Sequence, residues 1–323
     1  MATVSVIIPV YNVEPYIARC AQSLFEQSMQ DLEYIFVDDC TPDRSIDVML
    51  EVLEAFPERK NQVKVIHNEH NLGLARARLA GLSHASGEYI AHCDSDDAVH
   101  ADAYRLMYEK AKEENLDIVT CDLLVYGPKR NRVQSQVTEA GMEVASFLRG
   151  NVWSNVICRL FKRDLWEDMI LPKGDMWEDM VFSIQAFSKA HRCGNIPTPL
   201  YYYYRRGNSI SGNPSLESAM KRWRQVSANA HLIIDYLNDN PHVKWNEADM
   251  VTFKYRCRDY LLPFIQRPDC YRLWRNTFPE IEPIFLRTKG VSWNIKVWFV
   301  IIHLRMYYPV KSVTRAIRSL LSR

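Results

Sequence analysis

The chain has 323 residues, with 40 Lys+Arg against 39 Asp+Glu and a formal net charge of +1. Its 47% apolar and 24% charged residues exclude an intrinsically disordered chain, and the near-neutral charge argues against general binding to nucleic acid. The charge is unevenly spread, because Glu282 is the last acidic residue and residues 283–323 hold eight Lys/Arg.

The first hundred residues alternate between strand and helix patterns. Apolar runs predict strands at 4–10, 33–37, 63–67 and 88–93, and helical periodicity predicts helices at 14–27, 41–56 and 74–86. Thr41-Pro-Asp43 is expected to open the second helix, which should bury Leu50, and Gly87 is expected to close the third at its C′ position. The short connections predict a parallel sheet with right-handed crossovers.

From residue 102 the pattern is mixed. Helices are predicted at 103–114 and 177–189, a strand at 117–126 and a Tyr/Arg-rich segment at 200–211, and the chain looks helical beyond 214. We therefore predict an α/β fold with a helical C-terminal extension, divided into regions 1–100, 101–214 and 215–323.

Polar residues follow the predicted parallel strands, whose carboxyl ends meet at one edge of a sheet. Three carboxylates in Asp94-Ser-Asp-Asp97 would repel one another, and Mg²⁺ or Mn²⁺ would resolve this. Together with the aspartates at 38 and 39 and the arginines at 76 and 78, such a site suits a nucleoside diphosphate. The alternative is an acidic turn that caps the following helix. Glycine-rich nucleotide loops of the P-loop or dinucleotide type are absent from the sequence.

Five segments in order resemble the family 2 glycosyltransferases, which have a GT-A fold. They are Ser5–Asn12, Val37–Asp39 with Thr41–Asp43, Asn71–Arg78 with Gly81, Gly87–Ile90 and Asp94–Asp97. The resemblance covers roughly residues 3–212. It implies a Rossmann-like, mostly parallel nucleotide-binding sheet. It also implies an inverting, Mg²⁺- or Mn²⁺-assisted transfer of a hexosyl or N-acetylhexosaminyl group from a nucleotide sugar, commonly a UDP-sugar.

The resemblance assigns roles to residues in this sequence. Asp39 resembles the carboxylate that contacts the base, and Asp94 and Asp96 resemble the D-x-D pair, with Asp96 on the metal and Asp94 facing the ribose or donor sugar. Asp97 could replace Asp96 as the metal ligand. The wider nucleotide-sugar site is predicted to comprise Pro9, Tyr11, Asn12, Asp39, Asn71, Arg78, Asp94, Ser95, Arg205 and Arg206. One departure is Cys40-Thr41, where the family often has Gly-Ser.

Met176–Phe182 resembles the family's Glu-Asp motif at the start of the acceptor-side helix. Inverting transfer needs one general base, and we predict Asp179 for this role with Glu178 beside it. Glu178 stays open as the base, and acidic residues that merely complement a helix dipole are the structural alternative. Arg205 or Arg206 could clamp the diphosphate.

These patterns favour an enzyme over a non-catalytic nucleotide-sugar-binding partner subunit, and a nucleotidyltransferase is disfavoured because its Gly-rich N-terminal loop is missing. The expected acceptor is a glycan or lipid-linked saccharide of bacterial surface-polysaccharide type. No signal peptide or membrane span is expected, which predicts a cytoplasmic protein. Tryptophans and tyrosines interleave with the cations of residues 283–323, so this tail is predicted either to contact an anionic membrane at its inner face or to pack on the protein's own body.

Overall fold

The structure is a computed structural model that describes residues 2–127, 130–136, 143–205 and 215–312. The chain divides into two compact units. The first comprises residues 1–147 and 151–212, and the second comprises residues 148–150 and 213–323.

Nine strands of the described residues form one sheet in the first unit. Their order is β3-β2-β1-β4-β8-β6-β9-β5, and β7 pairs with β6. The strands are β1 Val4–Val10, β2 Leu32–Asp38, β3 Val63–His67, β4 Tyr89–His92, β5 Ala98–Val99, β6 Ile118–Tyr126, β7 Arg132–Gln134, β8 Arg159–Lys162 and β9 Cys193–Tyr204.

The first four strands are parallel neighbours. β1 pairs with β2 on one side and with β4 on the other, and β2 pairs with β3. β8 then pairs antiparallel with both β4 and β6, whereas β6 and β9 run parallel. The carboxyl ends of β1, β2 and β4 therefore lie side by side. Predicted site residues come directly after each of these strands in the chain.

Helices cover both faces of this sheet, and this explains why β1 is buried along its whole length. They are α1 Glu14–Phe25, α2 Ser45–Leu53, α3 Leu74–Ser83, α4 Ala103–Glu113 and α6 Glu178–Lys189, and α5 Glu143–Arg149 lies between β7 and β8 in the chain. Val6 and Ile8 join the apolar cluster that contains α1, whereas Ile7 between them joins the cluster on the other face. This alternation follows from the two-residue period of a strand.

Three predictions about these helices are wrong in detail. α1 ends at Phe25, two residues early, and the Leu50 side chain of α2 is 41% exposed. Gly87 does not cap α3, which ends at Ser83. Instead, a Cβ atom at Gly87 would lie 2.6 Å from the backbone nitrogen of Ser5, so glycine is needed there for the close approach of two strands.

The described part of the second unit is helical, as predicted for this region. Its helices are α7 Leu216–Asp239, α8 Glu247–Arg256, α9 Pro268–Asn276 and α10 Trp293–His303. They pack around a core in which Trp274 and Phe285 are fully buried. None of the helices in the described residues combines the length and the apolar character needed to cross a membrane.

Candidate active site

The turns that follow β1 and β2 are tied together by hydrogen bonds. The backbone nitrogen of Asn12 donates to Thr41 Oγ1 at 2.8 Å, and the backbone nitrogen of Glu14 donates to Asp43 Oδ2 at 2.9 Å. Asp43 also accepts from the backbone of Ser45, where α2 begins. Thr41 and Asp43 thus join two strand ends. The prediction that they open α2 is wrong, because this helix begins at Ser45 with Arg44 as its N-cap and the Arg44 side chain makes no capping hydrogen bond there. In this frame Pro9 is buried within β1, whereas Tyr11 and Asn12 are exposed at its end.

Two residues at these strand ends adopt left-handed backbone conformations. Asn12 has a φ of 52° and Cys40 a φ of 58°. Asparagine tolerates this region better than most residues, but a cysteine there is strained. Cys40 occupies the place where the family often has glycine, so this sequence keeps the turn geometry without the residue that favours it.

Asp39 organises the loop that precedes α3. Its Oδ1 atom accepts from Asn68 Nδ2 at 2.8 Å and from the backbone nitrogen of Leu72 at 2.9 Å, and its Oδ2 atom accepts from that of Gly73 at 2.9 Å. The Asp39 side chain is buried, whereas Asn71 within the loop is exposed. The contact predicted between Asp39 and a nucleobase stays a prediction.

The acidic cluster, defined as Asp94, Asp96 and Asp97, follows β4. One carboxylate oxygen from each residue lies within 4.8 Å of the other two. Asp94 and Asp96 are partly exposed, while Asp97 and the intervening Ser95 are buried. Burial and the neighbouring carboxylates of Asp96 and Asp94 raise the pKa of Asp97 well above its usual value. Three oxygens at this spacing suit a divalent cation.

The side-chain hydroxyl of Tyr201 in β9 holds the acidic cluster through two hydrogen bonds. This hydroxyl donates to Asp97 Oδ2 at 2.9 Å and accepts from the backbone nitrogen of Asp94 at 3.1 Å. The backbone nitrogen of Tyr204 donates to the other oxygen of Asp97 at 2.8 Å. Both Asp97 oxygens therefore accept hydrogen bonds from β9, whereas Asp94 and Asp96 are the more exposed members of the cluster.

A stack of side chains lies beside the same loop. The Arg19 guanidinium lies 3.6 Å from the centre of the Tyr204 ring, which stacks on Tyr126 at 4.4 Å and 2°. Arg19 also donates to the backbone carbonyl of Asp96. The stack holds the backbone of the acidic cluster against α1.

Arg78 was expected to balance the charge of a diphosphate, and that contact stays a prediction. Its side chain is only 3% exposed and lies between protein carboxylates. Nη2 donates to Asp94 Oδ1 at 2.8 Å, and Nε donates to Glu178 Oε1 at 3.3 Å. Arg78 is therefore hydrogen-bonded to the protein's own acidic groups and joins the acidic cluster to α6.

Glu178 and Asp179 begin α6 and differ in exposure. Glu178 is buried against Arg78, whereas Asp179 is partly exposed. Burial raises the pKa of Glu178 to about 8 and that of Asp179 to about 6, although Arg78 opposes both shifts. Trp177 before them has a φ of 65°, a genuine outlier for an aromatic residue, and such strain is common at functional sites.

The Tyr/Arg-rich segment is described as far as Arg205. Tyr201 and Tyr203 belong to the apolar core, while Tyr202 and Tyr204 lie on the opposite side of β9. Arg205 is exposed and its backbone nitrogen donates to the carbonyl of Tyr126 at 3.2 Å. Arg206 lies outside the described residues, so its predicted contact with a diphosphate stays a prediction.

Sequence reasoning missed the supporting residues Tyr201, Tyr204 and Arg19. The sequence placed Tyr201 and Tyr204 only in a Tyr/Arg-rich segment, which does not identify a hydrogen-bond partner for either residue. Arg19 has the pattern of an ordinary helix-surface residue. Nothing in its local sequence indicates a contact with Asp96.

Comparison with known proteins agrees with this geometry. The model of the family described as "Glycosyl transferase family 2" matches residues 5–165. The uncharacterized glycosyltransferase EpsJ of Bacillus subtilis (strain 168) is 34% identical over 223 residues, which cover 65% of this chain and 63% of EpsJ. The chain therefore spans slightly less than two thirds of the length of that relative.

Two groups of solved structures share the architecture. Residues 1–349 of S. aureus TarS in complex with UDP match with a TM-score of 0.61 and 19% identity, over 88% of this chain and 91% of that one. The mannosyltransferase PcManGT from Pyrobaculum calidifontis, in complex with GDP-Man and Mn²⁺, matches with a TM-score of 0.52 and 16% identity, over 96% and 86%. These likenesses concern the fold. The predicted GT-A-like α/β fold with a helical C-terminal region is confirmed.

Proposed function

The chain belongs to glycosyl transferase family 2, and from this premise we propose that it transfers a sugar from a nucleotide-sugar donor to an acceptor hydroxyl with inversion. We propose a UDP-sugar as donor and a hexosyl or N-acetylhexosaminyl group as cargo. The observation that carries the proposal is the Arg78 link between the acidic cluster and Glu178 at the start of α6. It brings a candidate phosphate-side site and a candidate base to one place.

The acidic cluster fits a divalent cation, Mg²⁺ or Mn²⁺. Asp96 and Asp94 are partly exposed and would hold the ion, whereas the two oxygens of Asp97 already accept hydrogen bonds from β9. Asp97 therefore supports the ligand loop rather than replacing Asp96. A bound ion supplies charge stabilisation for a departing diphosphate. Without an ion, burial and the neighbouring carboxylates raise the pKa of Asp97 above its usual value.

Asp179 is the proposed general base. In the transfer, an acceptor oxygen forms a bond to the anomeric carbon, the bond from that carbon to the diphosphate oxygen breaks, and the hydroxyl proton passes to the base. Asp179 is reachable from solvent, and a pKa of about 6 leaves it largely ionised yet basic near neutral pH. Glu178 is buried against Arg78 and is the less accessible of the two.

The donor nucleotide is proposed to lie along the ends of β1, β2 and β4. The exposed side chains of Tyr11, Asn12 and Asn71 border this edge, and Arg205 is exposed at the end of β9. Pro9, Asp39 and Ser95 are buried and would act by shaping the turns. The acceptor is proposed to be a glycan or lipid-linked saccharide at the cytoplasmic face of the membrane.

Donor hydrolysis and transfer by the purified full-length chain test the proposal. With UDP-sugars and Mn²⁺, nucleotide release should occur, and Asp179→Asn should lower its rate by about a hundredfold to ten-thousandfold. Asp164→Asn, at an exposed position outside the site, is the matched control. Donor binding without turnover would assign the chain to the non-catalytic partner class. Unchanged turnover in Asp179→Asn would reject Asp179 as the base.

A further inference from the structure

An exposed apolar stripe runs along α10 in the second unit. We define it by Trp293, Val297, Val300 and Leu304, whose exposed fractions are 76%, 37%, 38% and 62%. The intervals of four, three and four residues place these side chains on one side of a helix. Isolated exposed apolar residues are ordinary on protein surfaces, whereas a contiguous row led by a tryptophan marks an interaction surface.

The opposite side of α10 is anchored in the second unit's own core. Phe299 and Ile302 are 5% and 1% exposed, and the Phe299 ring stacks on Phe285 at 4.2 Å. His303 Nε2 lies 2.7 Å from Glu282 Oε2. These contacts fix the rotation of the helix about its axis. The stripe faces outward because the opposite face packs against the core.

Along the chain, the charged residues that flank the stripe are all positive. Arg287 and Lys289 are exposed just before α10, and Arg305 is exposed just after it. Glu282 is the last carboxylate of the sequence, and it is occupied by Arg258 at 2.6 Å and by His303. No later acidic side chain exists in the sequence to balance the cations.

We propose that the stripe and its flanking cations form a surface that docks on an anionic lipid bilayer, with α10 lying in the plane of the interface. An 11-residue helix is only about 16 Å long, against the roughly 30 Å of a hydrocarbon core, so it cannot span. Tryptophan favours the interface, and lysine and arginine favour anionic headgroups. A symmetric contact between two copies would instead bring segments of like charge together.

Membrane docking is a property separate from sugar transfer. It can therefore be measured without donor or acceptor. The full-length chain is sedimented with phosphatidylcholine vesicles and with vesicles containing about 30% phosphatidylglycerol, at about 0.1 M and 0.5 M salt. We expect binding to the anionic vesicles that weakens with salt. The double variant Trp293→Ser with Leu304→Ser should lower the partition coefficient tenfold or more, roughly the effect of removing one large buried side chain.

Matched controls distinguish binding through the α10 stripe from nonspecific binding to vesicles. Leu171→Ser removes an apolar side chain that is 54% exposed in the first unit, and should leave binding unchanged. Arg287→Gln with Lys289→Gln should reduce anionic binding, whereas Arg130→Gln with Arg132→Gln, at exposed positions in the first unit, should not. Urea unfolding verifies that each variant is folded.

The outcomes divide cleanly. Salt-sensitive binding that is lost only in the α10 variants supports the proposal. Wild-type binding by the stripe variant, or equal binding of the wild type to neutral and anionic vesicles, overturns it. If the wild type does not bind vesicles but forms a dimer, and if the stripe variant is a monomer, the proposal is overturned. The stripe is then a contact between two copies of the chain. Loss of vesicle binding with intact nucleotide release would leave the proposed transferase activity standing.

Discussion

The Tyr201 hydroxyl offers the sharpest test of how the acidic cluster is held. Tyr201→Phe removes one oxygen and leaves the ring in place. That oxygen donates to Asp97 at 2.9 Å and accepts from the backbone nitrogen of Asp94 at 3.1 Å. The substitution therefore releases both ends of the cluster loop without opening a cavity in the core.

The expected magnitude follows from these two contacts. A hydrogen bond to a charged group contributes about 1.5–3 kcal/mol, which corresponds to roughly a tenfold to hundredfold change in an equilibrium constant. Residues that support metal ligands have effects of the same size, about 10–100-fold in affinity or activity. We expect the Mn²⁺ concentration for half-maximal activity to rise by about this factor. The free energy of unfolding should fall by roughly 1–2 kcal/mol.

The assay is nucleotide release from the donor across a Mn²⁺ titration, paired with urea unfolding of the metal-free protein. Tyr202→Phe is the control, because the neighbouring tyrosine lies on the other side of β9 and makes none of these hydrogen bonds to the cluster. An unchanged Mn²⁺ requirement in Tyr201→Phe would refute the reasoning. So would an equal rise in Tyr202→Phe.

Three further predictions concern the base and the strand-end turns. If Asp179 is the base, kcat/KM should rise with pH through about 6 and then level off, and a profile that is flat there would contradict the assignment. Folding raises the pKa of Glu178 from 4.5 to about 8, so it favours the metal-free fold at low pH, and this stability is lost as pH rises through about 8. Relative to Glu178→Gln, the wild type should therefore lose a few kcal/mol of unfolding free energy between about pH 5 and pH 9, at about 1.4 kcal/mol per pKa unit; parallel curves would exclude this. Cys40→Gly should raise the free energy of unfolding by roughly 0.5–1 kcal/mol by relieving the left-handed strain, whereas Cys40→Ala should not; a loss of stability with glycine would reject that explanation.

The first half of the sheet could be predicted because its signals are local. β1 is a largely apolar run in which Ser5 is the one polar residue, and the strand–helix alternation of the first hundred residues admits few topologies. The acidic residues after β4 could be placed for the same reason, since parallel strands share one edge. Gly87 was misjudged because a glycine near a helix end resembles a cap, whereas the strand packing that requires it depends on Ser5, far away in the chain.

The supporting contacts of the site could not be predicted from local patterns. Tyr201 meets Asp97, and Arg78 meets Glu178, across about a hundred residues of chain. The left-handed conformation of Trp177 is the one that its side chain least favours, so propensity predicts against it. The pairing of Arg78 was missed because a sequence identifies a cation but not the carboxylates that surround it once the chain folds.

The position of Arg78 has a consequence for how this sequence can diverge. One guanidinium serves Asp94 and Glu178, which come from distant parts of the chain. Replacement of either carboxylate changes the charge balance felt by the other, so their effects should be strongly non-additive in a double-mutant cycle. The three residues form an epistatic unit. Relatives that alter one of them are expected to carry a compensating change at another, and drift at this site should proceed in groups rather than one residue at a time.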